Sequence, residues 1–254
     1  MTNSTILIAG GTGFIGKHLS RRLQSEGHTV RHLSRSARPD SPYPTFQWDV
    51  KASTVDEAAF AGVDYVVNLA GAGIVGARWT DARKALIISS RTDSTRLLGE
   101  TMVRLGVKPK LYLSSGAIGY YGNRGGKLMT ETANPGDGFL SESCVAWENS
   151  VHEVEKMGFP TFINRTGIVL HPEEGALEKM LLSMNVNVST YFGTGSQFYS
   201  WIHVDDIVGV FTHAMENQLT GIYNGVAPNP VPDRARRAGE LPGLRRVRRD
   251  GARR

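Results

Sequence analysis

The chain holds one cysteine, Cys144. An internal disulfide is therefore excluded, and a reducing compartment is expected. Long apolar runs are missing too. "ILIA" at residues 6–9 is far too short for a membrane span or the core of a signal peptide, and no basic region precedes it. A cytoplasmic protein with no membrane partner is expected. His, Cys, Asp and Glu nowhere cluster at metal-ligand spacing, so no metal is expected.

Lysine and aromatic residues are absent from residues 231–254, "VPDRARRAGELPGLRRVRRDGARR". Of the chain's 29 basic and 24 acidic residues, nine arginines and three acids fall in this stretch, so it carries +6 and residues 1–230 about −1. The basicity is confined to a segment expected to be disordered. Such a tail can bind phosphate backbones without sequence preference, which makes nucleic acid a partner for the tail alone. Arg, Gly, Ala and Pro bias without lysine is also what an out-of-frame reading of a GC-rich gene yields, and we favour that origin. What remains is ordinary: 40% hydrophobic and 21% charged residues, in a chain of 254 residues that can form one large domain or one plus a smaller lobe.

Along residues 1–230, short apolar runs alternate with longer amphipathic stretches. "TILIAG" (5–10), "HTVRHLSR" (28–35), "VDYVVNLAG" (63–71), "KLYLSSG" (110–116) and "TFINRTGIVL" (161–170) read as strands. Between them, Phe14, Ile15, Leu19 and Leu23 recur at helical spacing with Gly27 closing the helix. Residues 79–106 form a long helix capped by Thr80 or Asp81, and 141–158 another, with Ser141 as its cap. Strands alternating with helices predict an α/β fold, a Rossmann-type doubly wound parallel sheet covered on both faces.

"GGTGFIG" stands between the first strand and the first helix. Gly10, Gly13 and Gly16 fit a tight turn, a close backbone approach to a pyrophosphate, and tight helix–strand packing. The helix N-terminus then offers free N–H groups to the phosphates. An NAD site would place an acid at the end of the second strand. Here "HLSRSAR" offers Ser34 and Arg35 and no carboxylate. A guanidinium fork at Arg35, with Arg38 nearby, suits a 2′-phosphate, so NADP is the expected cofactor.

Taken in order, "ILIAGGTGFIG", "VNLAGAGI", "RW", "SSR", "AIGYYG", "WE", "RTGIVL", "GTGSQFYSWIHVDD" and "YNGVAPNPV" resemble the atypical short-chain dehydrogenase/reductases related to sugar-nucleotide epimerases, the epimerase family proteins of family 39U. The resemblance covers residues 5–231. It implies an NADP-binding Rossmann domain over 1–170, its last strands open to contributions from later segments, and a small substrate lobe over 171–230. In this family further helices and strands follow "GVAPNPV", so a frameshift or truncated gene model at 231 would explain both the tail and an incomplete lobe. The resemblance also assigns Gly10, Thr12, Gly13, Phe14, Ile15 and Gly16 to the phosphate loop and Ser34 and Arg35 to the 2′-phosphate. Leu69 and Ala70 would pass the adenosine ribose, and Arg91 would make a basic cofactor contact. Trp79 either covers the site or plugs the core.

In the wider superfamily a serine polarises the substrate oxygen, a tyrosine acts as acid/base, and a lysine four residues later assists it. The chain has no Tyr-x-x-x-Lys. Aligning on Glu148 puts Leu140 in the tyrosine position and Cys144 in the lysine position. Cys144 is expected to be a small core residue, and His203 with Asp205 and Asp206 to anchor a helix. Arg165 could hold an anionic substrate group. Ser115, near the end of the strand 110–116, and Tyr120 and Tyr121, just past that end, are left as the candidate catalytic hydroxyls. The expected function is an NADP-dependent oxidoreductase or epimerase-like enzyme acting on a sugar-nucleotide or small carbonyl substrate. The alternative is an NADP-binding module without turnover, a sensor or scaffold.

Overall fold

The structure, a computed structural model, describes residues 3–36, 38–75, 77–177 and 198–232. Strand β1 (Thr5–Ala9) is buried at four of its five positions. Its side chains alternate between two faces, Ile6 and Ile8 on one and Leu7 and Ala9 on the other, and each pair joins a separate apolar core. The sheet therefore needs a helical layer on both sides. From β1 the chain passes through α1 (Phe14–Ser25) to β2 (Thr29–Ser34), β3 (Thr45–Asp49) and β4 (Thr54–Val55), then crosses to β5 (Tyr65–Asn68). Helix α2 (Asp81–Leu105) leads to β6 (Leu111–Ala117), and α3 (Phe139–Lys156) to β7 (Thr161–Thr166).

The eight-stranded order is β11-β7-β6-β5-β1-β2-β3-β4, where β11 is Gly221–Gly225. Neighbours are parallel except β3 and β4. The chain grows outward from β1 in one direction and then returns to grow in the other. The strand order thus reverses between β1 and β5, the place where open α/β sheets bind ligands. Helices α1 and α4 (Val204–Asn217) cover one face through Leu19, Leu23, Ile207 and Phe211. Helices α2 and α3 cover the other through Leu98, Met102, Val151 and Val154. This is the doubly wound Rossmann-type fold expected. Thr80 caps α2 by accepting the Arg83 N–H at 3.2 Å. Among the described residues no helix is long and apolar enough to cross a membrane.

The structure corrects the sequence reading in four places. The run 161–170 is two strands, because the chain breaks at Gly167: β7 stays in the main sheet while β8 (Ile168–His171) leaves it to pair with β10 (Trp201–His203). A Cβ at Gly167 would lie 2.7 Å from the Ser200 carbonyl oxygen, so only glycine permits that crossing. Second, α3 begins at Phe139 with Gly138 as its cap residue (φ 88°). Ser141 sits in the first turn and donates to the carbonyls of Tyr120 (2.7 Å) and Gly136 (2.8 Å) instead of capping the helix. Third, α4 and β11 belong to the sheet domain although they follow residue 170. Fourth, Val231–Pro232, the first residues of the arginine-rich stretch, pair antiparallel with β9 (Phe198–Tyr199). The rest of that stretch and residues 178–197 of the expected lobe lie outside the described residues.

Candidate functional site

A cleft of about 480 Å³ opens at the strand-order reversal. Its first wall is backbone. β1 ends at Gly10, whose φ of 82° a side chain would resist and whose Cβ would fall 2.8 Å from the Leu69 carbonyl. Gly13 then donates its N–H to the Gly10 carbonyl at 3.0 Å, closing the turn. Gly16 packs so closely that a Cβ there would lie 2.3 Å from the same carbonyl oxygen. Helix α1 starts at Phe14 with Gly13 as N-cap and no side-chain cap. Its first N–H groups, with the positive end of the helix dipole, are available to an anion. Phe14 and Ile15 complete this wall.

The floor is the segment after β5. Asn68 is fully buried; its amide donates to the hydroxyls of Ser94, Thr95 and Tyr112 and its carbonyl oxygen accepts the Ala70 N–H at 3.1 Å. Ser90 accepts the Ala72 N–H at 2.9 Å. The polar run "SSRTDST" of α2 thus holds the backbone of Leu69–Ala72 against the cleft. Arg91, from the same run, is only 9% exposed and lines the cleft, with its guanidinium over the Trp147 ring at 4.9 Å. Trp79 is neither in the core nor buried. It lies at the edge of α3, donating to the Ile74 carbonyl at 3.0 Å and packing edge-on against Phe139.

The far wall comes from α3 and the ends of β6 and β7. Leu140, Ser143, Cys144 and Trp147 of α3 line it, so the positions aligned with tyrosine and lysine do face the cleft, carrying an isobutyl group and a thiol. Burial, with Glu148's charge adding to it, pushes the Cys144 thiol up to about 11. At neutral pH it is a buried S–H. Ser115 lines the cleft and shares a hydrogen bond with Thr166 at 3.1 Å.

Behind this wall lies a buried polar network. Arg165, 2% exposed, makes a two-pronged ion pair with Glu148, both contacts 2.8 Å, and donates to the Tyr121 hydroxyl (2.9 Å) and the Glu131 carbonyl (3.0 Å). Burial works against its charge, but the bonds to Glu148 and Tyr121 outweigh that and hold the guanidinium more firmly protonated than usual. Tyr121 passes its proton bond to Asn224 at 2.6 Å, and Tyr120 lies over the Arg165 guanidinium at 3.5 Å. Arg165 is committed to protein partners and is not free to hold a substrate anion. Tyr120 and Tyr121 are outside the residues lining the cleft.

Of the residues singled out in the sequence, the structure brings Gly10, Gly13, Phe14, Ile15, Gly16, Leu69, Ala70, Arg91 and Ser115 together in one cleft. Thr12 lies in an adjoining recess with Lys17, Arg21, His32 and Arg38. Ser34 is buried and Arg35 exposed at the end of β2. His203 caps α4, its Nδ1 accepting the Asp205 N–H at 3.2 Å. Among the described residues no three His, Cys, Asp or Glu side chains are grouped to hold a metal. Sequence reasoning missed Asn68, Ser143 and Thr166. Ser143 was findable, since it falls on α3 three residues from Leu140.

Fold and site together define an NAD(P)-binding α/β protein of Rossmann type. The chain belongs to the NAD dependent epimerase/dehydratase family, whose profile matches residues 6–224. It is 38% identical over 230 residues to epimerase family protein YfhF of Bacillus subtilis, covering 89% of this chain and 75% of that protein. The crystal structure of human epimerase family protein SDR39U1 (isoform 2) with NADPH matches with a TM-score of 0.78 and 31% identity, covering 90% of this chain and 76% of that one. The nucleoside-diphosphate sugar epimerase from Corynebacterium glutamicum matches with a TM-score of 0.79 and 31% identity. That match covers 92% of this chain and 49% of the other, so this chain spans about half of that protein.

Proposed function

We propose that this chain binds NADP in the switch-point cleft and is an NADP-dependent oxidoreductase or epimerase-like enzyme acting on a sugar-nucleotide or small carbonyl substrate. The observation that carries it is the glycine turn: side chains at Gly10 or Gly16 would collide with the backbone of Leu69–Ala70 and of the turn itself, so only glycine permits the tight turn that stands directly before an uncapped helix N-terminus, the form of a pyrophosphate site. The NADPH in the human relative's crystal structure supports the same choice. Gly10, Gly13 and Gly16 with Phe14 and Ile15 would hold the pyrophosphate, and the braced backbone of Leu69–Ala70 would face the adenosine ribose. Ser34 and Arg35 would take the 2′-phosphate, with Thr12 and Arg38 from the adjoining recess. When bound, the nicotinamide supplies hydride transfer.

For the remaining chemistry the protein offers one hydroxyl at the cleft surface from the three candidates. Ser115 can donate to a substrate oxygen while Thr166 orients it. Tyr120 and Tyr121, engaged with Arg165, would stiffen the wall behind it. One observation favours the second reading, NADP binding without turnover: α3 presents Leu140 and a protonated Cys144 where an acid/base pair would stand. Steady-state NADPH consumption across sugar nucleotides and small carbonyl compounds decides between them. Turnover that drops in Ser115→Ala with unchanged NADPH affinity supports the enzyme; tight binding with no consumption of any substrate supports the sensor. Failure to bind NADPH overturns both. Arg35→Ala should cut the preference for NADPH over NADH by about tenfold, the loss of one charge-assisted phosphate contact.

A further inference from the structure

The far wall of the cleft has little to offer a polar substrate. Among the described residues lining the cleft, Arg91 is the one charged side chain, and the family resemblance assigns it to the cofactor. Arg165, behind the wall, is held by Glu148. The hydroxyls that line the cleft are largely engaged. Ser143 donates to the Leu140 carbonyl at 2.8 Å. Thr166 accepts from the Asn164 amide at 3.0 Å and donates to the Asn164 carbonyl at 3.2 Å. Ser115 is the most loosely held, with contacts of 3.1 Å to Thr166 and 3.3 Å to the Gly116 carbonyl.

Around these groups the surface is apolar. Ile74, Ile118 and Leu140 all line the cleft and are tied together by their neighbours. A Cβ at Gly119, next to Ile118, would touch Leu140 Cβ and Cys144 Sγ, both at 3.6 Å. Trp79 packs against Phe139, the residue before Leu140, and gives its N–H to the Ile74 carbonyl at 3.0 Å, so the polar atom of that ring is engaged as well. Leu140 itself is 37% exposed, an open isobutyl face in the first turn of α3. One available hydroxyl matches one carbonyl oxygen. It does not match a hexose, whose several hydroxyls are penalised when buried without partners, and no second cation lines the cleft for a nucleoside diphosphate.

We propose that the cleft takes a carbonyl compound with an apolar body, an aliphatic or aromatic ketone or aldehyde, and that Leu140 sets this preference. The proposal rests on the enzyme reading above and chooses between its two substrate classes. The carbonyl carbon gains the hydride of NADPH and the oxygen gains a proton from water by way of Ser115, so a ketone becomes an alcohol and NADPH becomes NADP. Ile74, Ile118 and Leu140 cover the body of the molecule while its oxygen meets Ser115.

The test separates binding from turnover. Protein saturated with NADP, which cannot reduce a carbonyl, is titrated with 2-butanone, 2-hexanone, 2-octanone and UDP-glucose, and affinities are read from melting midpoints. Affinity should rise about two- to fourfold with each added methylene, and UDP-glucose should bind at least about tenfold more weakly than 2-octanone. Leu140→Asn should flatten the series and weaken 2-octanone by about tenfold, leaving NADPH affinity within about twofold; Leu140→Met should keep the series. The proposal is overturned if UDP-glucose binds as tightly as 2-octanone, or if chain length has no effect. An unchanged series in Leu140→Asn removes Leu140 as its determinant. NADPH consumption is then measured with the same compounds. Ketone binding without consumption keeps the apolar seat and removes the oxidoreductase reading, whereas consumption with UDP-glucose alone keeps the enzyme and removes the apolar seat.

Discussion

On one side of the cleft, the glycine turn and α1 offer a ligand only backbone: positive φ at Gly10, close approaches at Gly16, and an uncapped helix start. On the other side, α3, β6 and β7 offer side chains, and most of their polar atoms are already spent on each other, from Glu148 through Arg165 and Tyr121 to Asn224. The first wall is a binding surface shaped by what is missing from its residues. The second is a stiff partition whose cleft face is apolar apart from Ser115, Ser143, Thr166 and the Cys144 thiol. Damage to the first should therefore be read mainly in ligand affinity, and damage to the second mainly in stability.

The largest effect is expected at Glu148. Replacing it with Ala leaves the Arg165 charge buried with no counter-ion, and breaking such a pair costs about 3–5 kcal/mol. Denaturant unfolding of Glu148→Ala should show that loss. Pairing it with Arg165→Leu should recover a good part, since an apolar pair of similar volume needs no charge compensation. If Glu148→Ala is as stable as wild type, the network does not hold the wall.

His32 connects stability to the glycine wall. Its ring lies under Gly11, where a Cβ would come within 2.3 Å, and Ser20 bonds its Nε2 at 2.8 Å. Burial lowers its pKa to about 4, against 6.5 for an ordinary exposed histidine. As pH falls the unfolded chain takes the proton first, so stability is flat above about 6.5 and declines toward about 4. The loss can reach on the order of 3 kcal/mol, at 1.36 kcal/mol per pH unit of difference. Urea unfolding at pH 7.5 and pH 4.5 should show a smaller acid loss in His32→Gln than in wild type. A residual loss should remain, because burial and the neighbouring His171 also lower His18. Equal acid losses would remove His32 from the account.

The two walls also differ in how far the sequence reveals them. The glycine turn, the Thr80 cap and the periodicity of α1 are local patterns, and the structure reproduces them within a residue or two. The departure of β8 was hidden because "TFINRTGIVL" reads as one strand with no Pro or turn pair to break it; what splits it is the close approach of Gly167 to Ser200, 33 positions away. The Arg165–Glu148 pair joins a strand to a helix, and spacing along the chain says nothing of which carboxylate an arginine will meet. Asn68 was obscured differently. It is a polar residue that the sheet and α2 bury together, and burial of polar groups by tertiary packing has no periodic signature in one sequence.

The smallest stability change, and the sharpest affinity change, belongs to the glycine wall itself. A Cβ at Gly16 would meet three backbone atoms: the Gly10 carbonyl oxygen at 2.3 Å, Gly11 Cα at 2.7 Å and Gly11 C at 2.9 Å. None of these can swing away like a side chain, so the turn itself must open. Overpacking of this kind costs about 1–3 kcal/mol. Because the displaced atoms are the proposed phosphate cradle, NADPH affinity should fall by more than about tenfold in Gly16→Ala, a loss of more than about 1.4 kcal/mol. Gly13 is the internal control. Its Cβ would meet only the Gly10 carbonyl oxygen, at 3.2 Å, which a shift of a few tenths of an ångström relieves. Gly13→Ala should stay close to wild type in unfolding free energy and should lose less affinity than Gly16→Ala. If the order is reversed, crowding between turn and helix is not what shapes this wall, and direct obstruction at the helix N-terminus is.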